Sequence, residues 1–325
     1  MASSTKLFSL TLLFLGIITL CNAQSLSLKY YSKTCPKVES IVKKETDKIM
    51  AVAPTLAAPL LRMHFHDCFV RGCDGSVLIN STTTNQAEKD GFPNLSLRGY
   101  GSIDRVKTAV EKEFPGVVSC ADILALVARD ATLALNPKAF WPVPLGRRDG
   151  RVSLANETLV NLPPPFFNIT QLKAVFASKN LTSMDLVVLS GSHTIGTSHC
   201  SSFTNRLYNF TGRGDSDPSL DPNYAARLRT RCSPTDQTTL VEMDPGSFKT
   251  FDEDYYTLVA KRRGLFTSDS ALLADDETRA YVLRQARTKG STFLNDFAKS
   301  MVKMGKIGVI TGSQGEVRRR CAFVN

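Results

Sequence analysis

Two histidine motifs that lie far apart in the chain place the strongest constraint on its fold. One, RMHFHDCFVRGCDGS, begins at Arg62, and the other, VLSGSHTIG, surrounds His193. If residues 62–68 are helical, Arg62, Phe65 and His66 stand at i, i+3 and i+4 and share one face. That face carries a fixed cation, a hydrophobic lid and a base. The fold has to bring this face opposite the second motif if the two histidines act together.

These side chains indicate chemistry at a metal. A base, a cation and a lid are what cleavage of a peroxide O–O bond above a metal needs, and His193 could hold that metal from the other side. A haem fits between them. A helical HFH is ordinarily a pair of core histidines, but Arg62 and Asp67 near His66 favour the chemical interpretation. His64 points away from His66 and is expected to be a core residue.

Length and composition indicate a globular, exported protein. The chain has 325 residues, 42% hydrophobic and 22% charged, enough for one large domain or two smaller ones. Residues 1–23 combine Lys6, an apolar stretch and the small residues Asn22 and Ala23, which is typical of a secretory signal peptide. We predict that the mature domain covers 24–325. No later apolar run is long enough for a membrane span, so a membrane location is not expected.

The mature sequence has mainly helical patterning. Apolar residues recur at intervals of three and four in the segments 38–50, 102–114, 120–135, 169–180 and 184–190. Ser119 with Asp122, and Thr182 with Asp185, have the capping chemistry of helix starts. The stretch 142–165 is expected to be loop with short strands, since it ends in consecutive prolines. One continuous, mainly α domain, with the metal centre between its two halves, is the simplest interpretation.

Export changes how the cysteines and the surface are interpreted. Without Cys21 an odd number of cysteines remains, and thiols in an oxidising compartment tend to pair. Glycosylation sequons of the form N-x-S/T occur at Asn80, Asn94, Asn156, Asn168, Asn180 and Asn209.

The net charge of +10 favours polyanions such as acidic wall polysaccharides. Nucleic acid is not expected as a partner, because the basic clusters do not interleave with aromatic residues; these clusters are Arg147, Arg148 and Arg151, residues 261–263, and residues 318–320.

A longer set of motifs resembles one family. In chain order they are YYSKTCP, RMHFHDCFVRGCDGS, AEKDGFPN, RGYGSIDRVK, PGVVSCADILALVARD, WPVPLGRRDG, NLPPPF, LSGSHTIG, FDEDYY, GLFTSD and MGKIGVITGSQGEVRRRC. Over nearly the whole mature sequence the chain resembles the class III, or secretory, plant haem peroxidases. The resemblance implies a monomer of about ten helices, with one haem b between distal and proximal halves, and two calcium ions. It also implies reduction of hydrogen peroxide coupled to one-electron oxidation of phenolic-type donors.

On the distal side the resemblance assigns a role to each residue of the helical face. His66 would take a proton from the peroxide and return it to the outer oxygen, which requires a neutral imidazole. Asn94 would accept a hydrogen bond from the other ring nitrogen. Arg62 would stabilise the negative charge that develops on oxygen, and Phe65 would limit access.

On the proximal side the resemblance makes His193 the axial ligand of the haem iron. Asp269 would accept the remaining N–H of that imidazole and so strengthen its electron donation to the metal. A position that the family commonly fills with an aromatic residue beside the ligand holds Met243. His199 is not needed in this scheme.

Two calcium sites follow from the same resemblance. The distal site would use Asp67, Val70, Gly72, Asp74, Ser76 and, through water, Glu88. The proximal site would use Thr194, Asp244, Ser247, Thr250 and Asp252. Both begin beside a histidine of the haem site, so metal loss should loosen that site. The EF-hand pattern is absent.

The resemblance also assigns donor contacts and disulfides. Pro163, with Phe92 and Phe166 as neighbours, would meet aromatic donors at the haem edge. The implied disulfides are Cys68–Cys73, Cys120–Cys321 and Cys200–Cys232. The partner expected for Cys35 is replaced by Phe114, so we predict a free thiol at Cys35. A bridge closing so long a loop would contribute roughly 4 kcal/mol.

Two other classes of protein remain as alternatives. A zinc or copper hydrolase could use His64, His66, His193 and His199, and would hydrolyse substrates without peroxide. A calcium-stabilised wall-binding protein would need neither Arg62 nor Asp269. A visible spectrum separates all three. Because the chain stops shortly after Cys321, we expect secretion to the cell wall and apoplast rather than vacuolar sorting.

Overall fold

The structure, a computed structural model, describes residues 25–325 and is mainly helical. The helices are α1 (Val38–Val52), α2 (Ala57–Val70), α3 (Tyr100–Glu113), α4 (Cys120–Leu135), α5 (Ala155–Asn161), α6 (Ile169–Ser178), α7 (Ser183–Ser190), α8 (Thr204–Tyr208), α9 (Pro222–Arg229), α10 (Asp254–Ala260), α11 (Thr267–Ala271), α12 (Asp276–Thr288) and α13 (Phe293–Met304). Strands β1 (Thr197–His199) and β2 (Leu240–Glu242) pair antiparallel. The prediction of a mainly α fold is therefore confirmed. The predicted signal peptide, with Cys21, lies outside the described residues.

The segments with helical periodicity form α1, α3, α4, α6 and α7. Both predicted caps are present. The Ser119 hydroxyl accepts a hydrogen bond from the Asp122 N–H at 3.2 Å. Thr182 and Asp185 form a reciprocal capping box at the start of α7. Local capping chemistry thus sets where these helices begin.

Loop with short strands was predicted for 142–165, and Leu145 and Asp149 do make isolated β-bridges, but the prediction is wrong for the second half. Residues Ala155–Asn161 form α5, a short helix that ends before the three prolines. The prolines stop this helix rather than prevent it, because a proline disrupts the turn that precedes it. Since a Cβ on Gly91 would come within 2.5 Å of the Thr158 hydroxyl, α5 packs closely on the turn that contains Asn94.

Helix α4 is the centre of the main core. Every residue from Cys120 to Thr132 is buried, and the helix packs against α1 and α2. Its buried Asp122 accepts hydrogen bonds from the Arg147 guanidinium at 2.8 Å and from the Tyr31 hydroxyl at 2.9 Å. A buried carboxylate needs such partners, and here they tie the long loop after α4 to the helix. Helix α2 is thereby held on a rigid support.

A second, smaller core lies between the second histidine motif and α10. It includes Phe203, Leu207, Leu228, Val241 and Met243, and it contains the disulfide Cys200–Cys232. Within residues 25–325, no helix combines the length and apolar character that a bilayer span requires.

The structure contains the implied disulfides, Cys68–Cys73, Cys120–Cys321 and Cys200–Cys232. Cys35 is fully buried and has no disulfide partner among residues 25–325. Phe114 packs against the main core. Burial, together with the charge of Glu113, raises the pKa of the Cys35 thiol to about 11. Cys35 is therefore expected to react slowly in the folded protein, because the thiolate is the nucleophile.

Thiol counting tests this arrangement. The mature chain, denatured without reductant, should contain one titratable thiol per molecule, and a Cys35→Ser variant should contain none. Ellman titration in guanidinium chloride is the measurement. A count of zero for the unsubstituted monomer would show that Cys35 is bridged. Titration of the folded protein should be slow in comparison, since Cys35 is buried.

Candidate active site

Helix α2 presents the predicted catalytic face. Arg62 Nε donates to His66 Nε2 at 3.0 Å, one helical turn away. The rings of Phe65 and His66 meet edge to face with centroids 5.1 Å apart. The base, the cation and the apolar ring are thus adjacent, as the i, i+3 and i+4 spacing predicts.

Asn94 fixes the orientation of the His66 ring. Its Oδ1 lies 2.5 Å from His66 Nδ1, and its Nδ2 donates to the Glu88 carbonyl at 2.8 Å. An amide oxygen only accepts, so Nδ1 carries the proton and Nε2 is the basic nitrogen. Burial, with the positive charge of Arg62, holds the pKa of His66 well below its usual range. The imidazole is therefore neutral around pH 7.

Sequence reasoning missed two groups that hold Arg62. Its Nη1 donates to the Ser96 hydroxyl at 2.8 Å, and its Nη2 donates to the Pro93 carbonyl at 2.9 Å. The available signal was misleading, because Asn94 and Ser96 are the first and third residues of a glycosylation sequon. Asn94 is only 1% exposed. Both polar residues of this sequon therefore contact side chains of the predicted catalytic face.

The second motif forms a hydrogen-bonded pair with a distant carboxylate. His193 Nδ1 lies 2.8 Å from Asp269 Oδ1, and Asp269 Oδ2 accepts from the Phe266 N–H at 2.8 Å. Burial alone would raise the pKa of Asp269, but the charge and hydrogen bond of His193 bring it below its usual value. Asp269 is therefore an ionised acceptor that orients the imidazole.

Two aromatic rings flank His193. Phe266 and Tyr255 lie edge to face with the imidazole, at centroid distances of 5.3 and 5.8 Å. Met243, which occupies a place where an aromatic residue is common, belongs to the small second core. The motifs FDEDYY and GLFTSD contained Tyr255 and Phe266, but their contact with His193 is spatial and was not foreseen.

The two histidine regions meet near the start of α2. A Cβ on Gly196, three residues after His193, would lie 2.7 Å from the Ala58 Cβ, one turn before Arg62. The His193 side chain is 36% exposed, and among residues 25–325 its Nε2 has no hydrogen-bond partner. An accessible imidazole nitrogen backed by a carboxylate suits an iron ligand, so these residues fit a haem.

A buried cluster of oxygen atoms follows α2. Asp67 accepts from the Gly75 N–H at 3.0 Å, and Asp74 accepts from the Ser76 N–H at 3.0 Å. Burial, and then the charge of Asp74, raises the pKa of Asp67 well above its usual range. Burial also raises the pKa of Glu88 to about 8. Three acids in one buried region repel one another unless a cation is present.

Unpartnered atoms in the same region support that interpretation. Within the described part of the chain, both carboxylate oxygens of Glu88 and the hydroxyl of Ser76 are buried without a hydrogen-bond partner. Val70 ends α2, and the Gly72 carbonyl accepts from the Asp74 N–H at 2.7 Å. Buried oxygens are normally paired, and oxygen atoms of these types are calcium ligands. The residue set fits a hard cation.

A second acidic cluster lies directly after His193. The Thr194 hydroxyl is 3.2 Å from Asp244 Oδ2 and 2.9 Å from Asp252 Oδ1. Ser247 donates to Asp252 Oδ2 at 3.2 Å, and its carbonyl accepts from the Thr250 N–H at 2.7 Å. The five predicted residues are therefore brought together.

The second cluster includes one acid that the sequence did not suggest. Carboxylate oxygens of Asp244, Asp252 and Asp254 lie within 4.8 Å of one another. Burial, followed by the charges of Asp252 and Asp254, raises the pKa of Asp244 to about 7. This set also fits a cation with oxygen ligands.

The residues predicted to meet donors are accessible. Phe92 is 80% exposed and Phe166 is 62% exposed, while Pro163 is half-buried. Both phenylalanine rings are therefore open to contact with a small molecule, although single exposed apolar side chains are common on protein surfaces.

The remaining histidines have separate surroundings. His64 is buried 3.6 Å from Cys68 Sγ, an atom that is already used in a disulfide. His199 Nδ1 meets the Thr238 carbonyl at 3.3 Å. The arrangement gives no support to the zinc or copper hydrolase.

A mainly helical fold with a carboxylate-backed histidine and a second histidine beside an arginine is typical of haem enzymes that act on peroxide. Comparison with known proteins gives the family. The family model described as peroxidase matches residues 42–288. Peroxidase 27 of Arabidopsis thaliana is 62% identical over 325 residues, with both chains fully covered. The chain belongs to the peroxidase family, as a class III plant haem peroxidase.

Other relatives agree over similar lengths. Peroxidase 56 of Arabidopsis thaliana is 60% identical over 304 residues, covering 94% of this chain and 92% of its own. Peroxidase 1 of Oryza sativa subsp. japonica is 59% identical over 330 residues, with both chains fully covered. Family membership implies haem as cofactor, hydrogen peroxide as oxidant and a separate electron donor as reductant.

Proposed function

We propose that this peroxidase uses one haem b to oxidise phenolic-type donors, with His66 as the catalytic base. One observation carries the proposal: His66 is a buried, neutral imidazole whose Nδ1 is tied to Asn94 and whose basic Nε2 lies beside Arg62. A base with this tautomer and a neighbouring cation suits heterolytic cleavage of a peroxide bond.

His66 would transfer the proton, and Arg62 would stabilise the developing charge. His66 Nε2 would take a proton from one peroxide oxygen and return it to the other, which then leaves as water. Arg62 stabilises negative charge on the departing oxygen. The haem, held through His193 and tuned by Asp269, would supply the electrons for this cleavage. The overall reaction would reduce one hydrogen peroxide to two water molecules, with one electron and one proton from each of two donor molecules.

Reconstitution tests this function. The mature chain, refolded with haem and calcium, should develop a Soret band and oxidise a panel of phenolic donors only when hydrogen peroxide is added. Omission of haem is the matched control. A reconstituted protein without a Soret band, or with equal turnover in the absence of peroxide, would contradict the proposal.

Donors are proposed to react near Pro163, Phe92 and Phe166. The exposure of the two phenylalanines supports contact with flat aromatic donors, which stack on such rings. Electrons would then enter at the haem edge, without donor access to the iron.

Two calcium ions are proposed to occupy the acidic clusters beside His66 and His193. Removal of calcium should lower the unfolding free energy by about 2.7 kcal/mol for each site that was held at 100 times its Kd. The melting temperature with and without a chelator is the measurement.

Substitution of Glu88 allows a matched test of the proposed calcium site after α2. Glu88→Gln should reduce the calcium-dependent part of the stability, because a charged ligand is lost. Asp90→Asn, at an exposed acid two residues later, should not. Equal melting temperatures with and without chelator would contradict both proposed sites.

The mature chain is proposed to act as a single domain, residues 24–325, and as a monomer in the cell wall. The net charge, +10 for the full sequence and +9 without Lys6, supports attraction to acidic wall polysaccharides. Sugars are proposed at sequons with exposed asparagines, namely Asn156, Asn168, Asn180 and Asn209.

A further inference from the structure

The carboxylate behind His193 is shared with a second donor. Asp269 Oδ1 accepts from His193 Nδ1 at 2.8 Å and from the Tyr255 hydroxyl at 2.9 Å. Its other oxygen accepts from the Phe266 N–H. The histidine and the tyrosine therefore draw on the same oxygen atom.

The surrounding structure holds Tyr255 in this position. Tyr255 is 1% exposed, and its ring lies edge to face with those of His193 and Tyr256, at 5.8 and 5.2 Å. Asp269 is also confined, because a Cβ on Gly264 would come within 2.5 Å of the Asp269 Cβ. Neither partner can move away without disturbing a packed core.

The direction of this hydrogen bond is clear. An ionised carboxylate can only accept a hydrogen bond, so the Tyr255 hydroxyl donates to Asp269 Oδ1. A hydrogen bond to a carboxylate oxygen withdraws electron density from it. That oxygen then accepts the His193 proton less strongly.

We propose that Tyr255 is a positioning residue that weakens the hold of Asp269 on the His193 proton and so limits electron donation from His193 to the haem iron. The inference rests on the proposed role of His193 as axial ligand. Asp269 increases the imidazolate character of the ligand, and Tyr255 opposes it. The balance sets the reduction potential of the iron.

Tyr255→Phe removes the hydroxyl and leaves the ring. In the reconstituted enzyme we expect the ferric/ferrous reduction potential to become more negative and the iron–histidine stretching frequency of the ferrous form to rise. Both changes follow from stronger donation by His193. Spectroelectrochemistry and resonance Raman spectroscopy measure them.

Tyr256→Phe is the matched control. Tyr256 is the next residue and is equally buried, but its hydroxyl lies against the carbonyls of Val187 and Val188 at 3.1 and 3.3 Å. We expect the potential and the stretching frequency to stay at the unsubstituted values. An equal shift in both variants, no shift in Tyr255→Phe, or haem loss in Tyr255→Phe alone would overturn the inference.

Asp269→Asn separates this inference from the proposed function. Loss of the carboxylate charge should move the potential in the positive direction, opposite to Tyr255→Phe and by a larger amount. If Asp269→Asn leaves the potential and the Raman band unchanged, His193 is not the ligand and the proposed function fails. If Asp269→Asn responds and Tyr255→Phe does not, only the role of Tyr255 fails.

Discussion

His66→Ala should slow the reaction of the reconstituted enzyme with hydrogen peroxide by about 100-fold to 10,000-fold, the usual contribution of a positioned general acid–base. The variant lacks the group that moves the proton between the two peroxide oxygens, and Arg62 alone cannot replace it. Haem should stay bound, because His193 and Asp269 are unchanged. Stopped-flow measurement of the Soret change at increasing peroxide concentration gives the rate constant.

His64→Gln provides the control on the same helix. His64 is buried two residues earlier and contacts Cys68 rather than Asn94 or Arg62. Its substitution should leave the peroxide rate within about twofold of the unsubstituted enzyme, since it has no part in proton transfer. If His66→Ala retained the full rate, or if His64→Gln lost as much, the assignment of the base would be wrong.

The same step should have a characteristic pH dependence. A histidine works as a base only when neutral, and burial with the charge of Arg62 holds the pKa of His66 well below 6.5. The peroxide rate constant should therefore stay constant as the pH falls through 6.5 and decline only at lower pH. A half-maximal rate at pH 6.5 would show that His66 titrates as an ordinary histidine.

His193→Ala should abolish protein ligation of the haem iron, the largest effect expected of any substitution on the proximal side. The ferrous iron–histidine Raman band should disappear, and added imidazole should restore a ligand to the vacated place. Haem titration and Raman spectra are the measurements. Asp269→Asn should weaken haem affinity less, by about 10-fold to 100-fold, as for other residues that orient a metal ligand.

His199→Ala serves as the control for this experiment. His199 lies in β1, six residues after His193, and its ring meets the Thr238 carbonyl. Its substitution should leave the iron–histidine band in place. Unchanged ligation in His193→Ala would remove the basis of the proposed haem site.

The features that could be predicted from the sequence are those that depend on the spacing of residues close together in the chain. Helical periodicity predicted α1, α3, α4, α6 and α7, and the spacing of Arg62, Phe65 and His66 predicted one catalytic face. The pairing of His193 with Asp269 joins residues 76 positions apart, and only the family resemblance suggested it.

Contacts between residues that are distant in the sequence were not predicted. The Tyr255 hydroxyl in α10 donates to Asp269, and the Ser96 hydroxyl, in the loop before α3, accepts from Arg62. Nothing in the spacing of these residues distinguishes them from ordinary core or surface positions. Helix α5 was likewise not predicted, because the prolines that follow it were taken to exclude a helix and in fact only end one.

A sugar-attachment signal overlaps the proposed catalytic face, so we expect activity to depend on whether the chain folds before Asn94 can be glycosylated. A chain that acquired an oligosaccharide on Asn94 before folding could not bury that side chain, which is 1% exposed in the folded protein. Such a molecule would lose the bond that orients His66. Material produced in a glycosylating host should then contain a dead fraction, recognisable by the mass of the peptide around Asn94. A bacterial host would produce none.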